Sequence, residues 1–319
     1  MVRYSIIIPA YNEEEVLDET YKRLTEVMKS TEEEYELIFI NDGSRDNTFK
    51  MLQDYCKKDS SIKVVNFSRN FGHQIAVTAG MEYSSGQAVV IIDADLQDPP
   101  RVILEMIAKW KEGYDVVYGK RLVRKGETFF KKFTAKCFYR ILDHMTTVDI
   151  PVDTGDFRLM DRKVVDVMNS LSEKNRYVRG LVSWVGFKQT AVEYMRDGRF
   201  AGETKYPLKK MLKLAADGIL SFSYKPLHFA GVVGSMLSFA SFIYLIIVVI
   251  QKLFTSTTQP GWASLVAVIL FFNGVSLILH CITGEYVGRI YEETKNRPLY
   301  IVREAINFDE SVVADIRRK

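Results

Sequence analysis

The sequence predicts an α/β domain built on a mostly parallel sheet flanked by helices, followed by a C-terminal hairpin of two apolar helices. Short unbroken runs of β-branched residues alternate with helical segments as far as Tyr118, the pattern of strands covered on both faces. Two stretches without a charge, Phe229–Ile250 and Trp262–Thr283, are each about 22 residues long, more than the about 20 needed to cross hydrocarbon. The chain has 319 residues, 47% hydrophobic and 26% charged, enough for a large core plus an appendage without disulfides or a structural metal.

Five strands are expected at Tyr4–Ile8, Glu36–Ile40, Ile62–Phe67, Ala88–Ile92 and Asp115–Tyr118. Helices are expected between them at Glu14–Met28, Asn47–Lys57, His73–Tyr83 and Arg101–Lys111. Asp46 and the Pro99-Pro100 pair mark two of the helix starts, and Asp98 reads as a cap. Beyond Tyr118 the alternation fades, and residues 119–205 read as a less regular completion of the same domain.

Residues 206–226 carry Leu208, Met211, Leu212, Ala215 and Ile219 at helical spacing beside Lys209, Lys210 and Lys213, which suits an amphipathic helix at a membrane surface. The spans, about 229–250 and 262–283 within a 227–284 hairpin, are joined by a short loop holding only Lys252. Ala230, Gly234 and Ser238 offer small residues for close helix contact. Basic residues crowd the flank before the first span and the 285–319 tail, so both termini and the α/β domain (1–205) are expected on the cytoplasmic face of a multi-pass inner (plasma) membrane protein. On this division residues 226–319 act as an anchor, and their removal should leave a domain that still binds its ligand. The N-terminus is too quickly acidic for a signal peptide. A net charge of +3, with no basic block interleaved with aromatics, argues against a nucleic-acid partner. Three scattered cysteines fit a reducing compartment and give no zinc spacing.

The chemistry gathers where strands end. Asp93-Ala94-Asp95-Leu96-Gln97 follows the fourth strand, and two carboxylates one residue apart at such an end suit Mg²⁺ or Mn²⁺ shared with substrate phosphates. The other strand ends carry Pro9-Ala10-Tyr11-Asn12-Glu13-Glu14, Asn41-Asp42-Gly43-Ser44-Arg45-Asp46 and Ser68-Arg69-Asn70-Phe71-Gly72-His73-Gln74. Four such ends on one sheet edge can hold a base, a ribose and a metal-bound diphosphate together.

PAYNEE, NDGSRDNT, RNFGHQIA and DADLQDPP resemble the signatures of family 2 glycosyltransferases with the GT-A (Rossmann-like) fold. Their order, followed by two apolar spans, is similar to the polyprenyl-phosphate glycosyltransferases, which include dolichol-phosphate mannose synthases and bactoprenol glucosyltransferases. The tail from Gly284 to Val302 resembles the bacterial bactoprenol branch. That resemblance implies that Pro9, Tyr11, Glu13 and Asp42 frame the nucleotide, with Asp42 accepting from a uracil ring. Asp93, Asp95 and Gln97 would surround the metal and diphosphate, and Asp156 would lie near the acceptor. Arg121 would act in catalysis, and Arg176, Arg179, Arg199 and Lys205 would meet the lipid phosphate.

The implied activity is inverting, metal-dependent transfer of glucose from UDP-glucose to undecaprenyl phosphate, with membrane lipids as surroundings. A homo-oligomer and a downstream flippase or membrane glycosyltransferase are compatible partners. Alternatives are a GDP-mannose-dependent mannose synthase and a non-catalytic, membrane-anchored nucleotide-sugar-binding module.

Overall fold

The structure, a computed structural model, describes residues 2–122, 151, 154–196, 223, 225–254, 261–309 and 313. In chain order the elements are β1 (Tyr4–Ala10), α1 (Leu17–Lys29), β2 (Tyr35–Asn41), α2 (Thr48–Lys58), β3 (Ile62–Phe67), α3 (His73–Tyr83), β4 (Ala88–Ile91), α4 (Val102–Lys111), β5 (Val116–Arg121) and β6 (Thr154–Asp161). There follow α5 (Arg162–Ser170), α6 (Val178–Trp184), β7 (Gln189–Tyr194), α7 (Lys225–Phe254), α8 (Trp262–Thr294) and β8 (Val302–Ile306). The first five strands and four helices fall where the hydrophobic periodicity puts them, to within a few residues at each end.

One eight-stranded sheet carries them in the order β7-β5-β6-β4-β1-β2-β3-β8. Its centre, β4-β1-β2-β3, is parallel, as unbroken runs such as YSIII and ELIFI require. Alternate side chains of β1 face opposite layers. Ile6 and Ile8 pack with Leu17, Leu24, Leu52, Ile103 and Met106 from α1, α2 and α4, whereas Ile7 packs with Ala76, Val77 and Met81 of α3 and with Val164 and Val165 of α5. β6 runs antiparallel to both β4 and β5, and β8 runs antiparallel to β3.

Strand β6 and strand β8 both lie outside the simple alternation. β6 falls in the region expected to be irregular, and β8 in what reads as no more than a basic tail. Hydropathy misses β6 because it buries charge: Asp156 and Arg158 are both enclosed in a strand whose sequence is TGDFRLMD. The sheet therefore ends on a strand that follows the two long helices, so the stretch after residue 226 is more than an anchor.

Helices α7 and α8 pack on one another, and a Cβ added to Gly234 would touch Leu279 at 3.5 Å, consistent with small residues setting the spacing. Their apolar side chains, among them Phe239 at 67% exposure and Leu277 at 66%, face outward. Among the described residues one stretch, Lys225–Tyr244, is long and apolar enough to cross a membrane, with a mean hydropathy of 1.5. The second expected span lies within α8, of which no described stretch meets that standard. The expected interfacial helix at 206–226 lies almost wholly outside the described residues, as do Arg199 and Lys205.

Candidate active site

Parallel strands bring their carboxyl ends to one edge, and the chain's winding reverses between β1 and β4, where open α/β sheets leave a crevice. The loops at that edge are laced together. Asn12 N donates to Ser44 Oγ at 3.0 Å, Glu13 N to Thr48 Oγ1 at 2.9 Å and Arg45 N to Asn12 Oδ1 at 2.8 Å. Gly43, at φ +67, brings the β2 loop so close to the β3 loop that a Cβ would stand 2.5 Å from the Arg69 carbonyl carbon. Both oxygens of buried Asp42 accept from that same loop, Oδ1 from Phe71 N at 2.6 Å and Oδ2 from Gly72 N at 3.0 Å. Burial nevertheless raises the Asp42 carboxyl above its ordinary pKa. Between these loops lies a cavity of about 330 Å³ lined by Tyr11, Asn41, Ser44, Asn66, Arg69 and Arg303, among others.

The DADLQ segment begins just past β4. Asp93, Asp95 and Gln97 are partly exposed, and Ala94, Leu96 and Asp98 between them are buried, so the odd-numbered side chains face the opening. Leu96 takes a positive φ of 56° to make the turn, and Asp95 Oδ1 accepts from Gln97 N at 3.2 Å. Asp98 does not cap α4. It is drawn inward, accepting from Tyr194 Oη at 2.5 Å and from Arg121 Nη2 at 3.2 Å, with Arg196 Nε at 3.5 Å. Arg121 thus lies across Gly155, where a Cβ would meet its Nη2 at 2.5 Å, and its charge is matched by Asp98.

Asp156 enters from β6, whose antiparallel register on β4 pairs Ile91 with Arg158, so the strand brings residue 156 back toward the end of β4. One imidazole spans the two acids: His73 Nε2 stands 3.1 Å from Asp156 Oδ2 and 3.6 Å from Asp93 Oδ1. Arg179 on α6 grips Asp156 with two nitrogens, Nε to Oδ1 at 2.8 Å and Nη2 to Oδ2 at 3.2 Å, and Gln74 Nε2 donates to Oδ2 at 3.2 Å. Burial alone would raise the Asp156 carboxyl, yet Arg179 and His73 hold it well below the usual carboxylate range. His73 responds in kind: burial opposes its charge, but Asp156 and Asp93 push it up to about 9, so it is an imidazolium at neutral pH. Asp93 is raised by burial and by repulsion from Asp156, Asp98 and Asp95, with His73 opposing.

The gathering of carboxylates bears on a metal. Asp93 and Asp95 supply hard oxygens at a partly open position, the donor type Mg²⁺ and Mn²⁺ prefer. Among the described residues no three His, Cys, Asp or Glu side chains form a closed cage. A site with two carboxylates leaves its other positions for phosphate oxygens and water, so the donor set fits a cation shared with a substrate. It does not fit a structural ion.

Residues 5–168 match the glycosyl transferase family 2 model. The chain belongs to that family. An uncharacterized glycosyltransferase of Bacillus subtilis (strain 168), YkcC, is 61% identical over 97% of this chain and 95% of its own length. A bactoprenol glucosyl transferase derived from prophage SfII in Shigella flexneri is 40% identical over 95% of this chain and 98% of its own. Among solved structures, a glucosyl-3-phosphoglycerate synthase of Mycobacterium tuberculosis is a more distant likeness, with 17% identity, a TM-score of 0.47, and coverage of 69% of this chain and 76% of its own. This chain is therefore a glycosyltransferase.

In this glycosyltransferase the residues expected at the site are divided. Asp93 and Asp156 meet through His73 and Arg179 holds Asp156, Asp95 and Gln97 follow Asp93 in one turn, and Tyr11 lines the cavity while Glu13 contributes its backbone to the loop lacing. Pro9 is buried within β1, paired with Ile40. Arg176 stands apart: its buried guanidinium donates to the carbonyls of Glu173 at 3.2 Å, Met168 at 3.5 Å and Leu171, closing the end of α5. The structure gives it a holding role in the fold, where the resemblance implied a lipid-phosphate contact. His73 and Gln74 carry no expected role beyond their motif, yet both bind Asp156. The available signal was a histidine opening a helix directly after a strand-end glycine.

Proposed function

We propose that this glycosyltransferase moves glucose from UDP-glucose to undecaprenyl phosphate at the cytoplasmic membrane face, with inversion at the anomeric carbon. The observation that carries the reading is the meeting of Asp93 and Asp156 on one imidazole, at the crevice beside the cavity, in a chain that continues into exposed apolar helices. Its likeness to a protein named bactoprenol glucosyl transferase supports the choice of sugar and lipid.

In this reading the nucleoside lies against Tyr11 and the Asp42 loop, and its diphosphate reaches Asp93, Asp95 and Gln97. Those side chains would hold Mg²⁺ or Mn²⁺, which would supply charge neutralisation to the departing diphosphate. A phosphate oxygen of the lipid forms the new bond to the anomeric carbon while the bond to UDP breaks. That nucleophile is already anionic near neutral pH, so no strong base is required. Asp156, held far below the ordinary carboxylate pKa by Arg179 and His73, is a poor proton acceptor and acts by position and charge. Arg179 and His73 in turn offset the repulsion between two anions brought together out of water. Arg199 and Lys205 would supply further positive charge toward the acceptor, while Arg121, matched by Asp98, would act by position. Helix α7, with α8 as a second span and both termini on the cytoplasmic side, keeps the site at the depth of a lipid phosphate and so supplies proximity.

The test is transfer of labelled glucose from UDP-glucose into an organic-extractable lipid by the full chain in undecaprenyl phosphate-containing bilayers. Label in the lipid that disappears on chelation and returns with Mg²⁺ or Mn²⁺ is the expected result. Absence of lipid product with any common nucleotide sugar contradicts the assignment and favours a binding module.

A further inference from the structure

The cavity between the β2 and β3 loops is walled on one side by a residue that reaches it from the far end of the chain. Arg303 lies on β8, the strand that follows the apolar helices. Successive residues of β3 pair with residues two apart on β8, Asn66 with Glu304 and Phe67 with Val302, so Arg303 is the extra residue of a β-bulge. A bulge re-aims its unpaired side chain, and here that side chain lines the cavity.

The strand is held firmly enough for this placement to matter. Tyr300 stacks on Phe67 with ring centroids 5.0 Å apart and hydrogen-bonds Glu82, and Ser68 N donates to the Ile301 carbonyl at 2.9 Å. On the other side of the bulge, Asn307 Nδ2 donates to the carbonyls of Ile62 at 2.8 Å and Cys56 at 3.1 Å. Arg303 is therefore anchored on both flanks, two to four residues away. The cavity wall also includes Arg45 and Arg69 and, among the described residues, no carboxylate, so three arginines border it. Such a lining suits a ligand rich in anionic and carbonyl oxygens.

Strand spacing locates the ligand. Neighbouring strands lie about 4.8 Å apart, so a cavity at the ends of β2 and β3 is about 10 to 14 Å from Asp93 at the end of β4. An extended nucleoside diphosphate with its phosphates at Asp93 and Asp95 places its nucleoside end there. We propose that Arg303 is a donor-binding residue: its guanidinium holds the nucleoside portion of the donor, which makes the strand after the apolar helices part of the nucleotide site. This rests on the nucleotide-sugar reading above and adds a contact from outside the residues matched to the family, which end at 168.

The experiment measures UDP binding, with Mn²⁺, by calorimetry on the full chain in detergent or nanodiscs, alongside UDP-glucose kinetics. Arg303→Gln is expected to raise the UDP Kd about tenfold, the worth of one charged hydrogen bond. The KM for UDP-glucose should rise in parallel, with kcat and the KM for polyprenyl phosphate unchanged. Arg303→Lys should fall between, keeping charge but losing the planar fork. Glu304→Gln, one residue along the same strand, should bind UDP as the wild type does, which separates the contact from a general weakening of β8. Wild-type affinity in an Arg303→Gln chain of unchanged melting temperature overturns the proposal and leaves the proposed function standing. Failure of the wild-type chain to bind any nucleoside diphosphate overturns both.

Discussion

The two ends of the central sheet bury acid in opposite ways. At the amino end, Glu36 is enclosed and its partners saturate it: Lys63 Nζ at 2.7 Å, Ser5 Oγ at 2.5 Å, and Ser85 through N at 2.8 Å and Oγ at 2.9 Å. At the carboxyl end, Asp93, Asp95 and Asp156 crowd together with Asp98 behind them, and Asp93 is left with a raised pKa beside an opening. The first arrangement finishes a fold, because both carboxylate oxygens are engaged from within. The second gathers carboxylates beside an opening, where a substrate can bring a cation with it.

That contrast can be broken by substitution. The largest effect belongs to the open end. Asp95→Ala should lower transfer on the order of 10³-fold or more, with circular dichroism and melting temperature unchanged, since no core contact is lost. Near-normal turnover would reject the metal role. Asp156→Asn should cost about 10²-fold in kcat, read in the same lipid-extraction assay, by removing a fixed charge that Arg179 and His73 depend on.

At the closed end the loss moves from rate to stability. Glu36→Ala should destabilise the fold by about 3 kcal/mol in denaturant unfolding, because it strands partly buried Lys63, while kcat per folded molecule is retained. The pH dependence follows from the sign of the shift. Burial pushes Glu36 up, but Lys63, Ser5 and Ser85 leave it below its ordinary value. Its contribution is thus present above about pH 4.3 and is lost as pH falls through the depressed folded value. Wild type should lose stability over that acid range more steeply than Glu36→Ala, and equal slopes would contradict the assignment. The smallest effect sharpens the comparison between two neighbouring arginines. Arg176→Gln should cost about 1.5 kcal/mol of stability and leave the KM for polyprenyl phosphate unchanged, because its hydrogen bonds go to backbone carbonyls.

What the sequence disclosed follows the same division. The central strands were legible because a strand buried on both faces is an unbroken apolar run, and Tyr4–Ala10 has no exposed residue. Their polar endings were legible as a site because parallel strands must deliver them to one edge. β6 was hidden by Asp156 and Arg158, which look like surface residues until the strand is seen to carry them into the site. β8 was hidden because it is five residues long, lies at the sheet edge and carries two charges, and its partner β3 is more than 230 residues away. Asp98 read as a cap because local sequence cannot reveal that Tyr194 and Arg121 will claim it. Arg176 and Arg179 read alike, and only the packing of α5 and α6 separates one that holds backbone from one that holds Asp156.

The most direct measurement is UDP affinity as a function of Mn²⁺ concentration, in the wild-type chain and in Asp95→Asn. Affinity should rise steeply with Mn²⁺ in the wild type and stay weak and independent of metal in the variant. Metal-independent binding in the wild type, or the same metal response in both chains, would contradict a divalent cation shared between these carboxylates and the donor diphosphate.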